Sequence, residues 1–472
     1  MLSPTPLEIP EIILCVASYV PKRSLIACVQ VSKVWCRVFV PFLWKDIELS
    51  SRRPITPETM CSYSQFVKAL RIDCSLMRER FPPSLPNLVS LAINYPLSKE
   101  DIFELVTRHP SLTHLGLTRA MLPLSTQLLG RLLNGFSNLK SLELNVLEVS
   151  ERNVDKFWHL CTRLESLEVD TLRLRTKDSP SSLEFPHLRK LRVGYSFGLD
   201  IPLMLSFMQK CPNLQSFQWN MDFEGNHLFT PQFAQLISEG SWQHLQSVST
   251  GILNDDEDLS AIVGSMQRIT ALETQFPFFT PAIMDLLRPH FSHLQTLDLH
   301  GAIGLTSEMV QEIMCSCPSL TIFKGSMIEA TDIVEGQPWV CLRLKGLDLS
   351  FCFNHSTINR KQPLVLDQLS RLTRLEEMCV YSGRKEKKSQ KALDLRLERG
   401  LGKLSTLRLL RVLDFDSATQ RMGEQEVDWM LEHWKGLDRI SGRLNTMEPR
   451  VHQALTERLR VRGVEVKDGT ES

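Results

Sequence analysis

Cys315-Ser-Cys317 is the tightest pair of thiols in the chain, and two thiolates at that spacing could supply half of a soft-metal site. Such a site needs further ligands, and no histidine stands at ligand spacing beside them. Cys315 falls late in an amphipathic helical pattern and Cys317 just before an apolar strand pattern, so both read as buried thiols. His290, His293 and His300 fall within eleven residues. Their positions in the local pattern separate them, because His293 precedes a strand and His300 follows one. A Walker loop, a dinucleotide glycine fingerprint, G-x-S-x-G and H-E-x-x-H are all absent from the sequence. The expectation is therefore a non-enzyme with no metal and no cofactor. What remains is a set of charged residues at regular intervals, whose use depends on the elements that carry them.

Those elements follow from a motif, L-x-x-L-x-L, that returns about every 26 residues. It is plainest at Leu88, Leu112, Leu139, Leu164, Leu188 and Leu294. Weaker copies start at Val67, Leu214, Leu245, Ile269, Leu320, Leu344, Leu375, Leu410 and Leu437. The period lies within the leucine-rich-repeat range of about 20–29 residues. The last two apolar residues of the motif sit two apart, as on one face of a strand. In the copy at Leu139, Leu142 and Leu144 face the core while Ser141, Glu143 and Asn145 face out.

Helix starts follow most strands. Thr230-Pro231 and Thr280-Pro281 each offer an N-cap followed by proline at the first helical position. Ser98, Ser150, Asp255 and Thr306 also read as caps. The fold class expected is α/β: a leucine-rich-repeat solenoid, or horseshoe, over residues 51–466, headed by a three-helix module at residues 1–50. Met447–Leu459 and Gly463–Val466 read as the helix and strand of a C-terminal cap, and Lys467–Ser472 as a frayed tail. Inserts are expected at 354–362 and at 382–391. The second is basic and reads as a solvated loop or, alternatively, a nuclear localisation signal.

By repeat phase the open sheet face carries polar residues of mixed sign. They include His114, Glu143, Asn145, Glu168, Asp170, Lys190, Arg192, Gln218, Asn220, Glu273, Gln275, Asp298, His300, Lys324, Asp348, Tyr381, Asp414 and Arg443. A solvated face must be polar in any case. Glu143, Glu168, Asp170, Lys190, Arg192, Gln218, Asp298 and His300 are the candidates for contact with a protein target. The change of sign between Glu143, Glu168 and Asp170 and the neighbouring Lys190 and Arg192 would orient a complementary partner.

Fifty-four basic and fifty-four acidic residues leave no net charge, so a general nucleic-acid binder is not expected. No run of eighteen apolar residues is present, so no membrane span is expected. The apolar run 12–20 is preceded by Glu8 and Glu11 and by no basic residue, unlike a secretory signal. Twelve scattered cysteines form no C-x-x-C pair and read as reduced thiols, placing the chain in the cytoplasm or nucleus.

The first fifty residues do not fit the repeat. Leu7, Ile9, Ile12, Ile13, Val16, Ala17 and Val20 have helical spacing up to Pro21; a short segment follows at 24–29. A third helix starts at Ser32 and stops at Pro41, and Trp44–Leu49 reads as the first strand. Within Ile9–Val20 only Glu11 and Ser18 are strongly polar, so this is no one-sided surface helix. About fifty residues cannot bury that much apolar surface internally. Either these helices cap the first repeat, or part of their surface awaits a partner.

Pro6-Leu-Glu-Ile9, Ile12-Ile13, Leu25, Val31-Ser-Lys-Val-Trp35 and Leu43-Trp44-Lys-Asp-Ile47 resemble an F-box, with departures at Thr5, Pro10 and Ser24 that weaken the first turn of its helix. The repeats, with Cys-Pro-x-Leu at 211–214 and 317–320, resemble those of F-box leucine-rich-repeat proteins. Members of that family are substrate receptors of cullin–RING ubiquitin ligases. The resemblance implies that the F-box docks on a Skp-type adaptor and the repeats hold an unidentified protein target. Pro6, Leu7, Ile9, Ile12, Ile13 and Val16 would make the first apolar contact, and Leu25, Val29, Val31 and Trp35 the second. The deeper of these must also hold the three helices together. The rival expectation is a stand-alone interaction scaffold or inhibitor whose N-terminal helices are only a cap.

Overall fold

A computed structural model describes residues 9–49, 55–73, 84–95, 99–118, 130, 136–174, 183–197, 201–219, 226–252, 256–275, 277–354, 356–381, 390–416 and 418–467. The chain divides into two compact units, Met1–Trp219 and Asn220–Ser472.

The first unit begins with three helices, α1 (Pro10–Ala17), α2 (Lys22–Val29) and α3 (Lys33–Lys45). Pro10 occupies the first turn of α1 and does not weaken it: a proline there gives up only an N–H that has no helical acceptor. Ser32 caps α3, its hydroxyl accepting from the Trp35 N–H at 3.2 Å. Pro41 does not stop α3, contrary to expectation; the helix continues to Lys45 with the proline inside it. Trp44 and Lys45 are therefore helical, and the first strand, β1, is Asp46–Leu49. Trp44 stacks on Tyr63 of the following helix, Pro57–Tyr63, with centroids 4.5 Å apart, and so joins the module to the first repeat.

Seven strands follow in this unit: β2 (Ala69–Ile72), β3 (Ser90–Ile93), β4 (His114–Leu117), β5 (Ser141–Val149), β6 (Ser166–Leu174), β7 (Lys190–Phe197) and β8 (Ser216–Trp219). Each pairs in parallel with the next, from β1 to β8. The second unit contains β9 (Ser247–Ile252), β10 (Ala271–Gln275), β11 (Thr296–Asp298), β12 (Ile322–Glu329), β13 (Gly346–Asn354), β14 (Glu377–Tyr381), β15 (Gln390–Lys391), β16 (Val412–Asp414), β17 (Arg439–Ser441) and β18 (Glu465–Lys467). Here too the pairing is parallel and sequential. The exception is the two-residue β15, which lies antiparallel to the end of β13, so that β14 pairs with β16. Lys467 belongs to β18 and not to a tail; residues 468–472 lie outside the described residues.

All fifteen motifs become strands that start two residues after the first motif position. That first residue closes a turn. The amides of Leu112, Leu164, Leu214, Leu320 and Leu344 donate to the carbonyls of His109, Cys161, Cys211, Cys317 and Cys341, three residues earlier. Both ends of each turn are buried. Four scattered cysteines thus share one position of the repeat, a small apolar plug beneath the leucine.

The cap at Thr306 forms, its hydroxyl accepting from the Met309 N–H, and Thr280-Pro281 opens the helix Pro281–Leu287. Thr230-Pro231 does not start a helix: the helix is Asn226–Ser238, with Pro231 inside it. Ser98 and Asp255 lie outside the described residues, as do Asn220 and residues 382–389 of the basic insert. The insert expected at 354–362 is partly helical, since Ile358–Ser370 is a helix.

Candidate partner-binding site

The three N-terminal helices pack around Ile13, Ala17, Leu25 and Phe39, with Val20, Cys28, Val29, Trp35, Val38, Phe42 and Leu43 closing over them. Trp35 stacks on Phe39 at 5.1 Å. This separates two roles that the sequence left merged. Ile13 and Leu25, expected at the adaptor contact, are core residues, Leu25 being 4% exposed. Val29 and Trp35 lean on that core and are partly buried. Ile9 is half-buried, while Ile12, Val16 and Val31 are exposed. Pro6 and Leu7 lie outside the described residues.

Four further apolar side chains face out and belong with the exposed set: Leu14 (53% exposed), Tyr19 (83%), Ile26 and Val34. On α1, Ile13 and Ala17 form the inward stripe. Ile12 and Val16 flank it on one side and Leu14 on the other, as the 100° step per residue requires. The signal for Leu14 was present in the sequence as an apolar residue out of phase with the core. α1 and α2 pack on α3, and α3 meets the first repeat, so among the described residues the outer faces of α1 and α2 remain uncovered.

The open sheet face of the first unit carries the second candidate set. The register places Gly116, Glu143, Glu168, Arg192 and Gln218 side by side across β4 to β8. Lys190 Nζ bonds Glu168 Oε1 at 2.8 Å, and Arg192 Nη2 lies 3.4 Å from Asp170 Oδ1. Burial first, and the neighbouring Glu168 second, raise the Glu143 carboxyl above its ordinary range. Acidic and basic side chains thus lie side by side on this face, and pairs within the chain partly neutralise them.

Asp298 and His300 belong to the second unit. Asp298 Oδ1 accepts from the His300 N–H at 3.1 Å, and its Oδ2 accepts from Lys324 Nζ at 2.6 Å.

His290 is a buried structural residue. Its Nδ1 accepts from the Ile269 N–H at 3.3 Å, and burial lowers its pKa. Cys317 is buried and its thiol is pushed up to about 12, whereas Cys315 Sγ is engaged with the Gln337 carbonyl. Among the described residues no group of three metal-ligating side chains comes together. No helix among them is long and apolar enough to cross a membrane.

With this geometry in place, residues 10–50 match the F-box-like family model. The N-terminal module is an F-box-like domain. No curated protein matches the chain. A chain from the crystal structure of a TLR13–ssRNA13 complex is 14% identical over 80% of this chain and 46% of that one, so this chain spans under half its length. Its TM-score of 0.35 adds nothing to the strand pairing, which defines the repeats by itself.

Proposed function

We propose that the chain is the substrate-recognition subunit of an SCF-type ubiquitin ligase. The F-box-like domain docks on a Skp-type adaptor, which joins it to a cullin–RING ligase in the cytoplasm or nucleus, and the repeats hold a protein target. One observation carries the reading: a domain matching the F-box-like model turns Leu14, Tyr19 and Ile26 outward, where a mere cap would bury them against the first repeat. Exposed apolar surface of this kind marks a partner site. The chain itself performs no chemistry in this reading. It supplies proximity, raising the effective concentration of a target lysine near the charged ubiquitin donor.

Reconstitution tests this directly. The full chain is mixed with a Skp-type adaptor, cullin, RING subunit, activating and conjugating enzymes and ubiquitin, and modification of its own lysines is followed. The chain is expected to be ubiquitinated, and Leu14→Asp with Ile26→Asp to abolish modification without lowering the melting temperature. An unmodified wild-type chain in an otherwise active mixture would favour the stand-alone scaffold.

A further inference from the structure

Beyond the C-terminal ends of β10 and β11 the second unit has a built apolar rim. Glu273 of β10 pairs with Asp298 of β11, and five residues further along both chains Phe278 bridges to Ile303 in the same register. The Phe279 N–H donates to the Ile303 carbonyl and the Ile303 N–H to that of Pro277, each at 2.8 Å. Gly304 turns the chain with φ +89, and a Cβ there would stand 2.8 Å from the Phe279 carbonyl oxygen. Only glycine fits that turn. Hydrogen bonds and a left-handed glycine thus fix the segment, yet Phe278 is 42% and Ile303 54% exposed.

The strands beside this rim carry an acidic row. Glu273, Asp298, Lys324, Asp348, Cys379 and Asp414 are successive register partners from β10 to β16. Four carboxylates face one ammonium, and that ammonium is bonded to Asp298. Burial raises the Asp348 carboxyl to about 7, against the opposing charge of Lys324 and with those of Asp298 and Asp414 adding to it, and burial raises Asp414 as well. A cation arriving from outside would relieve both. From β11 to β16 is four strand spacings, roughly 20 Å, the reach of about six extended residues.

We propose that Phe278 and Ile303, with the Asp348 and Asp414 carboxylates, form a docking face for a basic protein segment bearing an apolar anchor. The inference rests on the reading that the repeats hold a protein target, and it names the chemistry of that target. The apolar side chain seats on the Phe278–Ile303 rim. Its lysine or arginine neighbours lie along the acidic row and give the contact direction and salt dependence.

The test pans a displayed library of random peptides on the full chain. The best synthetic peptide is then titrated by fluorescence anisotropy. Enriched peptides should combine Lys or Arg with a large apolar residue. Their affinity should fall about tenfold or more for Phe278→Ser with Ile303→Ser, and separately for Asp348→Asn with Asp414→Asn. Leu14→Asp with Ile26→Asp should bind the peptide as wild type does, so failure here is distinguishable from failure of the adaptor reading. Thermal melts accompany each variant, and Phe278→Ala with Ile303→Ala replaces the serine pair if that pair melts early. No enrichment, enrichment without basic residues, or unchanged affinity in the first two variants overturns the proposal. So does light scattering that finds a dimer lost in Phe278→Ser with Ile303→Ser, since the face would then belong to a second copy of the chain.

Discussion

Asp348 is the residue whose environment is most at odds with its chemistry. An aspartate ordinarily titrates near 3.8, and burial among other carboxylates raises this one to about 7. Between those values the folded chain holds a proton that the unfolded chain releases. Its contribution to folding is present at low pH and is lost as pH rises through about 7. Asp348→Asn cannot ionise, so relative to wild type it should gain stability as pH rises from about 4 to about 7 and hold that gain above pH 7, by on the order of 1–4 kcal/mol. Urea unfolding across that range checks it, and a pH-independent difference would contradict it. The outward phase of Asp348, Glu143 and Glu168 was legible because strand alternation has a period of two. The roles of Leu25 and Ile26 were not. In an apolar run such as Leu25–Val29 no polar stripe sets the phase, and only the packing against Phe39 decides which neighbour is core.

At the scale of elements, the strands of the fifteen motifs were legible, because each is anchored by a buried aliphatic residue, whereas the first strand was misplaced, Trp44 and Lys45 being helical. The helices were less so. Pro41 reads as a stop and Thr230-Pro231 as a start, and both prolines are interior to helices. Least legible was the 35-residue interval between Leu375 and Leu410, where, among the described residues, an extended stretch at 392–396 and two 3-10 helices, Leu397–Arg399 and Leu401–Thr406, stand in place of the usual α-helix. Two buried glutamines hold it. Gln362 Nε2 donates to the carbonyls of Asp394 at 2.8 Å and Arg399 at 2.9 Å, while its Oε1 accepts from the Asp394 N–H. Gln420 likewise bonds the Leu393 carbonyl and the Leu395 N–H. No periodicity announces a glutamine that substitutes for backbone pairing. Gln362→Leu strands three backbone groups, and at about 1–3 kcal/mol per buried unsatisfied group it should cost roughly 3 kcal/mol or more. Denaturant unfolding measures this, and a loss below about 0.5 kcal/mol would show that the run stands without it.

At the scale of the molecule, sequential parallel pairing of neighbours gives repeats that depend on their neighbours for a core. The division into two units falls in the 31-residue interval between Leu214 and Leu245, a stretch in spacing that the motif alone did not mark as a boundary. The function proposed for the chain depends on its first helices, since without an adaptor the repeats bind a target to no catalytic end. The decisive measurement is titration of a purified Skp-type adaptor into the full chain, beside Leu14→Asp with Ile26→Asp and, separately, Leu25→Asp. Wild type should bind saturably at one to one. The exposed pair should lose about a hundredfold in affinity while melting as wild type does. Leu25→Asp should lose binding together with the fold of the module, since it buries a carboxylate in the helical core. No saturable binding by wild type, or equal binding by the exposed pair, would contradict the account.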